Sequence, residues 1–205
     1  MRRFAIEQLA WHGCCYQVGE SQRIVTLLNL IGAPQCAAIL LLIQRGCEEY
    51  YSARNTRALL AVGAHEIGAE YYPVVAATHL AWIASLFFLV SPEAPIIWPL
   101  VVYYLALQLA RYWVIASLGR YWTHRIITLE TAPVVASGPY RYVSHPNYAI
   151  TIIETFVLPL AFGAVALAVI MTALWWTVLA YKIKLEEHAL DARRGRAAHK
   201  STATK

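Results

Sequence analysis

Two short stretches of this chain concentrate side chains able to do chemistry. The first runs Gly138-Pro139-Tyr140-Arg141 and, after two residues, Ser144-His145-Pro146-Asn147-Tyr148. The second holds Lys182, Lys184, Glu186, Glu187 and His188. Together they supply two imidazoles, two phenols, two carboxylates and several cations beside apolar segments. That is the composition of a small-molecule site. Pro146 fixes its own φ and suits the first turn of a helix, with His145 held extended just before it. Glu186 and Glu187 are neighbours on a helix, so their side chains point about 100° apart. Like charges at a low-dielectric boundary are costly unless partnered. Taken singly, each stretch also fits an ordinary helix end, with tyrosines at the membrane interface and charges in water.

An element must bring the two stretches together. Residues 147–181 are apolar almost throughout. As one helix they would run to roughly 50 Å, against a hydrocarbon core of ~30 Å. Pro159 and Gly163 sit near the centre and mark a turn. The segment therefore reads as a helical hairpin, 147–160 and 164–185. A hairpin returns to the side it left, so the entry of its first helix faces the exit of its second.

The rest of the chain has the same character. Of its 205 residues 59% are hydrophobic and only 14% charged, with a mean hydropathy of +0.48. The apolar residues lie in long runs, which points to a bilayer rather than to a soluble core. The expectation is an all-α, polytopic membrane protein with about five transmembrane helices. The spans are 24–44 (Pro34 near its middle), 73–90, 96–118 and the two halves of the hairpin. Residues 45–72 read as an amphipathic interfacial helix, and 119–146 as a long polar connection. With the N-terminus outside, 13 of the 17 Lys and Arg fall on the inner face. The C-terminus is then cytoplasmic, in a bacterial inner membrane. The same placement argues that the net charge of +5 belongs to membrane topology rather than to nucleic-acid binding. Met1-Arg2-Arg3 is basic, but Glu7, Gln8, His12 and Glu20 interrupt any signal-peptide core. Cys14, Cys15, Cys36 and Cys47 form no CxxC pair and call for neither zinc nor a disulfide framework. Residues 1–192 read as one membrane domain, and 193–205 as a basic, disordered tail.

The two stretches and their spacing resemble the isoprenylcysteine carboxyl methyltransferase family. That family carries GxYxxxRHPxY, a helical hairpin and RxxxEExxL. Here the corresponding residues are Gly138 to Tyr148 and Lys182 to Leu190. The resemblance extends upstream through Leu118-Gly119-Arg120-Tyr121-Trp122-Thr123 and covers roughly residues 96–192. Residues 51–90 resemble a bacterial branch whose members O-methylate long-chain alkylpyrones.

The resemblance implies S-adenosyl-L-methionine as cofactor and a lipophilic small-molecule acceptor drawn from the membrane. It places Pro133, Val134, Val135, Tyr140, His145, Pro146, Asn147, Tyr148 and Glu186 on the cofactor. Lys182 takes the position of the family arginine tied to the acceptor, and Glu187 stands beside it. Arg111 and Glu154, charged residues inside spans, are expected to meet the acceptor's headgroup or to pair with each other. Two departures stand out: Ser144 and Lys182 occupy places where the family has arginine. Lysine is a point charge without the bidentate fork, so it suits an enolate or phenolate oxygen as well as a carboxylate. The expected reaction is methyl transfer to such an oxygen. Other classes remain open: a membrane NADPH-dependent reductase of similar helical fold, a methyltransferase acting on thiols or phospholipid amines, and a non-enzymatic scaffold.

Overall fold

A computed structural model of the chain describes residues 31–129 and 137–203, with side chains as far as His188. Five helices dominate: α1 (Ala33–Ala61), α2 (Tyr72–Leu89), α3 (Trp98–Leu118), α4 (Pro146–Leu160) and α5 (Val165–Ala203). Two three-residue strands, β1 (His65–Ile67) and β2 (Ile126–Thr128), pair antiparallel with Glu66 opposite Ile127.

Helix α1 departs from the expected first span. Its start is set by Pro34 in the first turn, where a missing N–H costs nothing. Pro34 thus opens the helix instead of interrupting it, and residues 24–30 lie outside the described residues. Gln35 closes the turn on both sides. Its Oε1 accepts from the Gly32 N–H, and its Nε2 donates to the carbonyls of Phe87 and Val90 at the end of α2. The helix then continues without a break through Arg45 to Ala61, where a separate interfacial helix was expected. Arg45 and Glu48 explain this. They are buried against charges on other helices, so no interface is needed to solvate them.

The hairpin follows the sequence closely. Pro159 sits in the last turn of α4, Gly163 adopts φ 71°, and the Ala164 N–H donates to the Pro159 carbonyl. The Ile97 N–H donates to the Ala161 carbonyl at 2.8 Å, so this turn is tied to the α2–α3 connection. Helix α5 has 39 residues and runs on to Ala203, so the backbone of 193–203 is helical where a disordered tail was expected. Extending an existing helix requires no new nucleus, and this segment is rich in Ala and Arg.

Trp82, Leu86, Leu41, Ala38, Leu158, Phe162 and Met171 form the apolar core towards the hairpin-turn end. Val75, Trp175, Val178 and Leu179 form a second cluster nearer the opposite end. The outer faces stay apolar, with Phe88, Leu89 and Leu109 all more than two-thirds exposed. On a monomer in water such a surface would be a liability, but acyl chains cover it in a bilayer. Among the described residues, three helical segments are long and apolar enough to cross a membrane: Ala69–Leu89, Trp98–Tyr121 and Val165–His188. Helix α4 has 15 residues, about 22 Å at helical rise. It packs between α3 and α5.

The end of α1, the start of α2, the end of α3, the start of α4 and the Lys182–Glu186 turn of α5 all lie at one end of this bundle, with the strand pair beside them. Gln35 is the polar clamp at the other end. Replacing it by Leu leaves the Gly32 N–H and two carbonyls short of partners. A loss of about 1–3 kcal/mol is expected, read as a lowered unfolding midpoint in detergent.

Candidate functional site

The loop leading into α4 is shaped by one glycine. Gly138 has φ +59°, and a Cβ there would lie 2.3 Å from Ser117 Oγ and 3.4 Å from Trp113 Nε1. Only glycine lets the Gly138–Arg141 turn rest on the last turns of α3. The turn delivers Tyr140, and the chain then enters α4 through His145 and Pro146.

Across the hairpin, the Tyr148 hydroxyl donates to Glu186 Oε1. His145 Nδ1 stands 3.4 Å from Glu186 Oε2, and its ring stacks on Tyr148 at 5.3 Å between centroids. Tyr140 belongs to the same group, since burial first and the Glu186 charge second push its phenol above the ordinary range. Lys182 lies one turn before Glu186 and is 6% exposed. Its ammonium donates to the His124 carbonyl at 2.8 Å and stands 5.1 Å over the Tyr148 ring. One of its three N–H groups is therefore used, leaving two for another oxygen. Asn147 has a buried Oδ1 with no partner among the described residues.

The structure thus gathers Tyr140, His145, Pro146, Asn147, Tyr148, Lys182 and Glu186 at one end of α4 and α5. Glu187 is not part of this group. It is exposed, because the residue after Glu186 turns about 100° around the helix. Pro133, Val134 and Val135 lie outside the described residues.

Deeper in the bundle, four charged side chains form a closed cluster. Arg45 reaches Glu48 and Glu154 at 2.6 Å each. Arg111 reaches Glu48 at 2.9 Å and Glu154 at 3.1 Å. Gln108 donates to Glu154 and Gln44 to Glu48, and Thr151 accepts from Arg111. Two guanidinium groups face two carboxylates, so the cluster carries no net charge. The pairing of Arg111 with Glu154 was among the sequence expectations. The part of Arg45 and Glu48 was not, although their i,i+3 spacing directly after an apolar run without a breaker was the available signal.

A third group was missed altogether. His124, in the polar connection after α3, has Nδ1 2.8 Å from Glu49 Oε2 on α1, and its backbone N–H donates to Ser52 Oγ. Burial holds the imidazole below its usual range, with the Glu49 hydrogen bond opposing that shift. The ring lies edge-on to Trp122 at 4.7 Å and 6.5 Å from His79. His79 in turn meets Trp175 edge-on at 4.3 Å.

These features define a helical membrane protein with a polar site at one end of the bundle, opening beside its lipid-facing helices. The profile of the isoprenylcysteine carboxyl methyltransferase (ICMT) family matches residues 100–192. The uncharacterized protein YpbQ of Bacillus subtilis (strain 168) is 31% identical over 156 residues, which cover 74% of this chain and 93% of that protein. No solved structure matches the chain. The chain belongs to the isoprenylcysteine carboxyl methyltransferase family, a family of membrane methyltransferases acting on lipophilic substrates.

The charge cluster predicts an asymmetric response to mutation. Glu154→Ala leaves Arg45 and Arg111 competing for Glu48 alone, and about 3–5 kcal/mol of stability is expected to go. A quadruple replacement of Arg45, Glu48, Arg111 and Glu154 by apolar residues of similar volume is expected to cost less than the four single losses added together, because it strands no charge. Unfolding in detergent micelles measures both.

Proposed function

We propose that the protein transfers the methyl group of S-adenosyl-L-methionine to an oxygen of a lipophilic acceptor held at membrane level. The observation that carries this reading is the joining of Glu186 to Tyr148 and His145 across the hairpin, with Lys182 one turn away. Those are the positions at which the family motif places the cofactor and the acceptor.

The residues fit that cofactor. Asn147 Oδ1 is a buried acceptor lacking a donor, and the cofactor's amino group and ribose hydroxyls are donors. Glu186 has further lone pairs after accepting from Tyr148. The stacked His145 and Tyr148 rings offer π faces near which a sulfonium is stabilised. The cofactor, when bound, supplies an activated methyl group, so the transfer itself asks little acid–base chemistry of the protein. The chain's own task is to orient the two reactants and to exclude water.

Lys182 is the residue we assign to the acceptor. Its two remaining N–H groups and its charge, held in a low-dielectric setting, stabilise an oxygen bearing negative charge. A lone ammonium does so for an enolate or phenolate without the bidentate geometry a carboxylate prefers. With Ser144 in place of the second family arginine, this favours a hydroxypyrone- or phenol-type lipid over a prenylcysteine carboxylate. Arg111 and Glu154 act from the wall of the acceptor's path. Their hydrogen bonds are satisfied within the cluster, which favours shaping that path over direct contact. The site end of the bundle faces the cytoplasm of a bacterial inner membrane in this reading, and the acceptor's tail arrives between the lipid-facing helices.

Calorimetric titration with S-adenosylhomocysteine is the first test. Saturable binding is expected, weakened about ten- to a hundredfold by Glu186→Ala through loss of a carboxylate acceptor and by His145→Ala through loss of the ring stacked on Tyr148. Binding of NADPH with no response to S-adenosylhomocysteine would sink the proposal. Labelled methyl transfer to a prenylcysteine analogue, an alkylpyrone, an alkylresorcinol and a thiol then ranks the acceptors. Transfer to the prenylcysteine alone would overturn the preference for a hydroxyl-bearing lipid.

A further inference from the structure

Next to Lys182, four aromatic side chains are arranged in an unusual way. Trp122, His124, His79 and Trp175 follow one another in ring contact or near-contact. Each carries a buried nitrogen without a hydrogen-bond partner among the described residues: Trp122 Nε1, His124 Nε2, His79 Nε2 and Trp175 Nε1. Buried polar atoms are rarely left so, and several orphans together mark a place where a polar group belongs. At His124 the chemistry of the missing partner is defined. A carboxylate only accepts, so Glu49 fixes the proton on Nδ1 and leaves the lone pair on the unpartnered Nε2. That is a base, oriented by a carboxylate, attached through its own backbone carbonyl to the Lys182 ammonium.

We infer that His124 is the general base for a hydroxyl-bearing acceptor, oriented by Glu49, with the acceptor's oxygen seated among Trp122, His79 and Trp175. This rests on the function proposed above and specifies its acceptor as an enol or phenol. A carboxylate arrives already ionised and has no proton for such a base to take. In the balanced step the hydroxyl proton passes to His124 Nε2 and the oxygen forms its bond to the methyl carbon. The carbon–sulfur bond of the sulfonium breaks with its electron pair kept on sulfur, giving a neutral thioether. The Nδ1 proton stays on its hydrogen bond to Glu49, and the imidazolium gives up the Nε2 proton to water once the product has left, which restores the base. The groups facing this imidazole are Glu48 and Glu49 from α1, His79 from α2, Arg111 from α3 and Lys182 from α5. The two carboxylates favour its protonation, and the cations oppose it.

An alkyl-chain-bearing nitrophenol tests this without methyl transfer, because its absorbance reports the ionised fraction of the bound probe. The wild-type protein is expected to bind it saturably, to quench tryptophan fluorescence, and to lower the probe's apparent pKa. His124→Gln is expected to reduce the bound ionised fraction about tenfold at a pH midway through the titration. Glu49→Gln is expected to fall between the two, and Glu49→Asp to recover most of the wild-type shift. Equal ionisation of the bound probe in wild type and His124→Gln would overturn the inference, as would the absence of saturable binding by the wild type. Each variant is also titrated with S-adenosylhomocysteine, to verify that it is folded. Failure of the wild type to bind S-adenosylhomocysteine would instead count against the methyltransferase reading, leaving the probe to judge the base.

Discussion

The closed cluster of Arg45, Glu48, Arg111 and Glu154 is the constraint around which the bundle is arranged. Removing a single charge from water into a low-dielectric interior costs several kcal/mol even after relaxation. Four such charges are tolerated only because each cation meets both anions, and because Gln44, Gln108 and Thr151 take up further hydrogen-bonding capacity. The geometry is therefore exacting. A shift of α1, α3 or α4 by a fraction of a turn would strand a charge. Apolar packing in a membrane has no such selectivity, since lipid tails are as apolar as leucine. The ionic cluster specifies which faces of these three helices meet, and it thereby fixes where α4 begins and where His145, Asn147 and Tyr148 stand.

Around that fixed point the site divides its electrostatic work. Glu186 accepts from the Tyr148 hydroxyl and stands beside His145, while Lys182 is directed away from it to the His124 carbonyl. The carboxylate and the ammonium are one helical turn apart but do not neutralise each other. A negative and a positive group thus stand one helical turn apart, each turned to its own partners. The Tyr148 ring lies between the two functions, bonded to one through its hydroxyl and covered by the other at its face.

Much of this was legible in the sequence. Hydropathy located α2, α3 and the hairpin, and Pro159 with Gly163 placed the turn. The hairpin reading also brings Tyr148, His145, Glu186 and Lys182 to one end of the bundle, where the structure has them. Helix α1 was misjudged because charge was taken as a sign of water, when Arg45 and Glu48 are solvated by other side chains. His124, Glu49 and His79 were invisible for a different reason. They lie on three separate elements with no local spacing to connect them, and only the packing of α1, α2 and the loop after α3 brings them together. The β1–β2 pair, three residues on each side, is likewise too short to leave a periodic signal.

Helix α5 carries more than a fold. Trp175, Val178, Leu179, Lys182 and Glu186 follow at helical spacing along one continuous rod. The end that meets Glu186's partners and the end that meets the aromatic chain are separated by eleven helical steps, about 16 Å. The Glu186 group and the aromatic chain are thus spaced by a single rigid rod. A slide or rotation of this helix moves Trp175, Lys182 and Glu186 together, so a change at one of the two groups is carried to the other through α5.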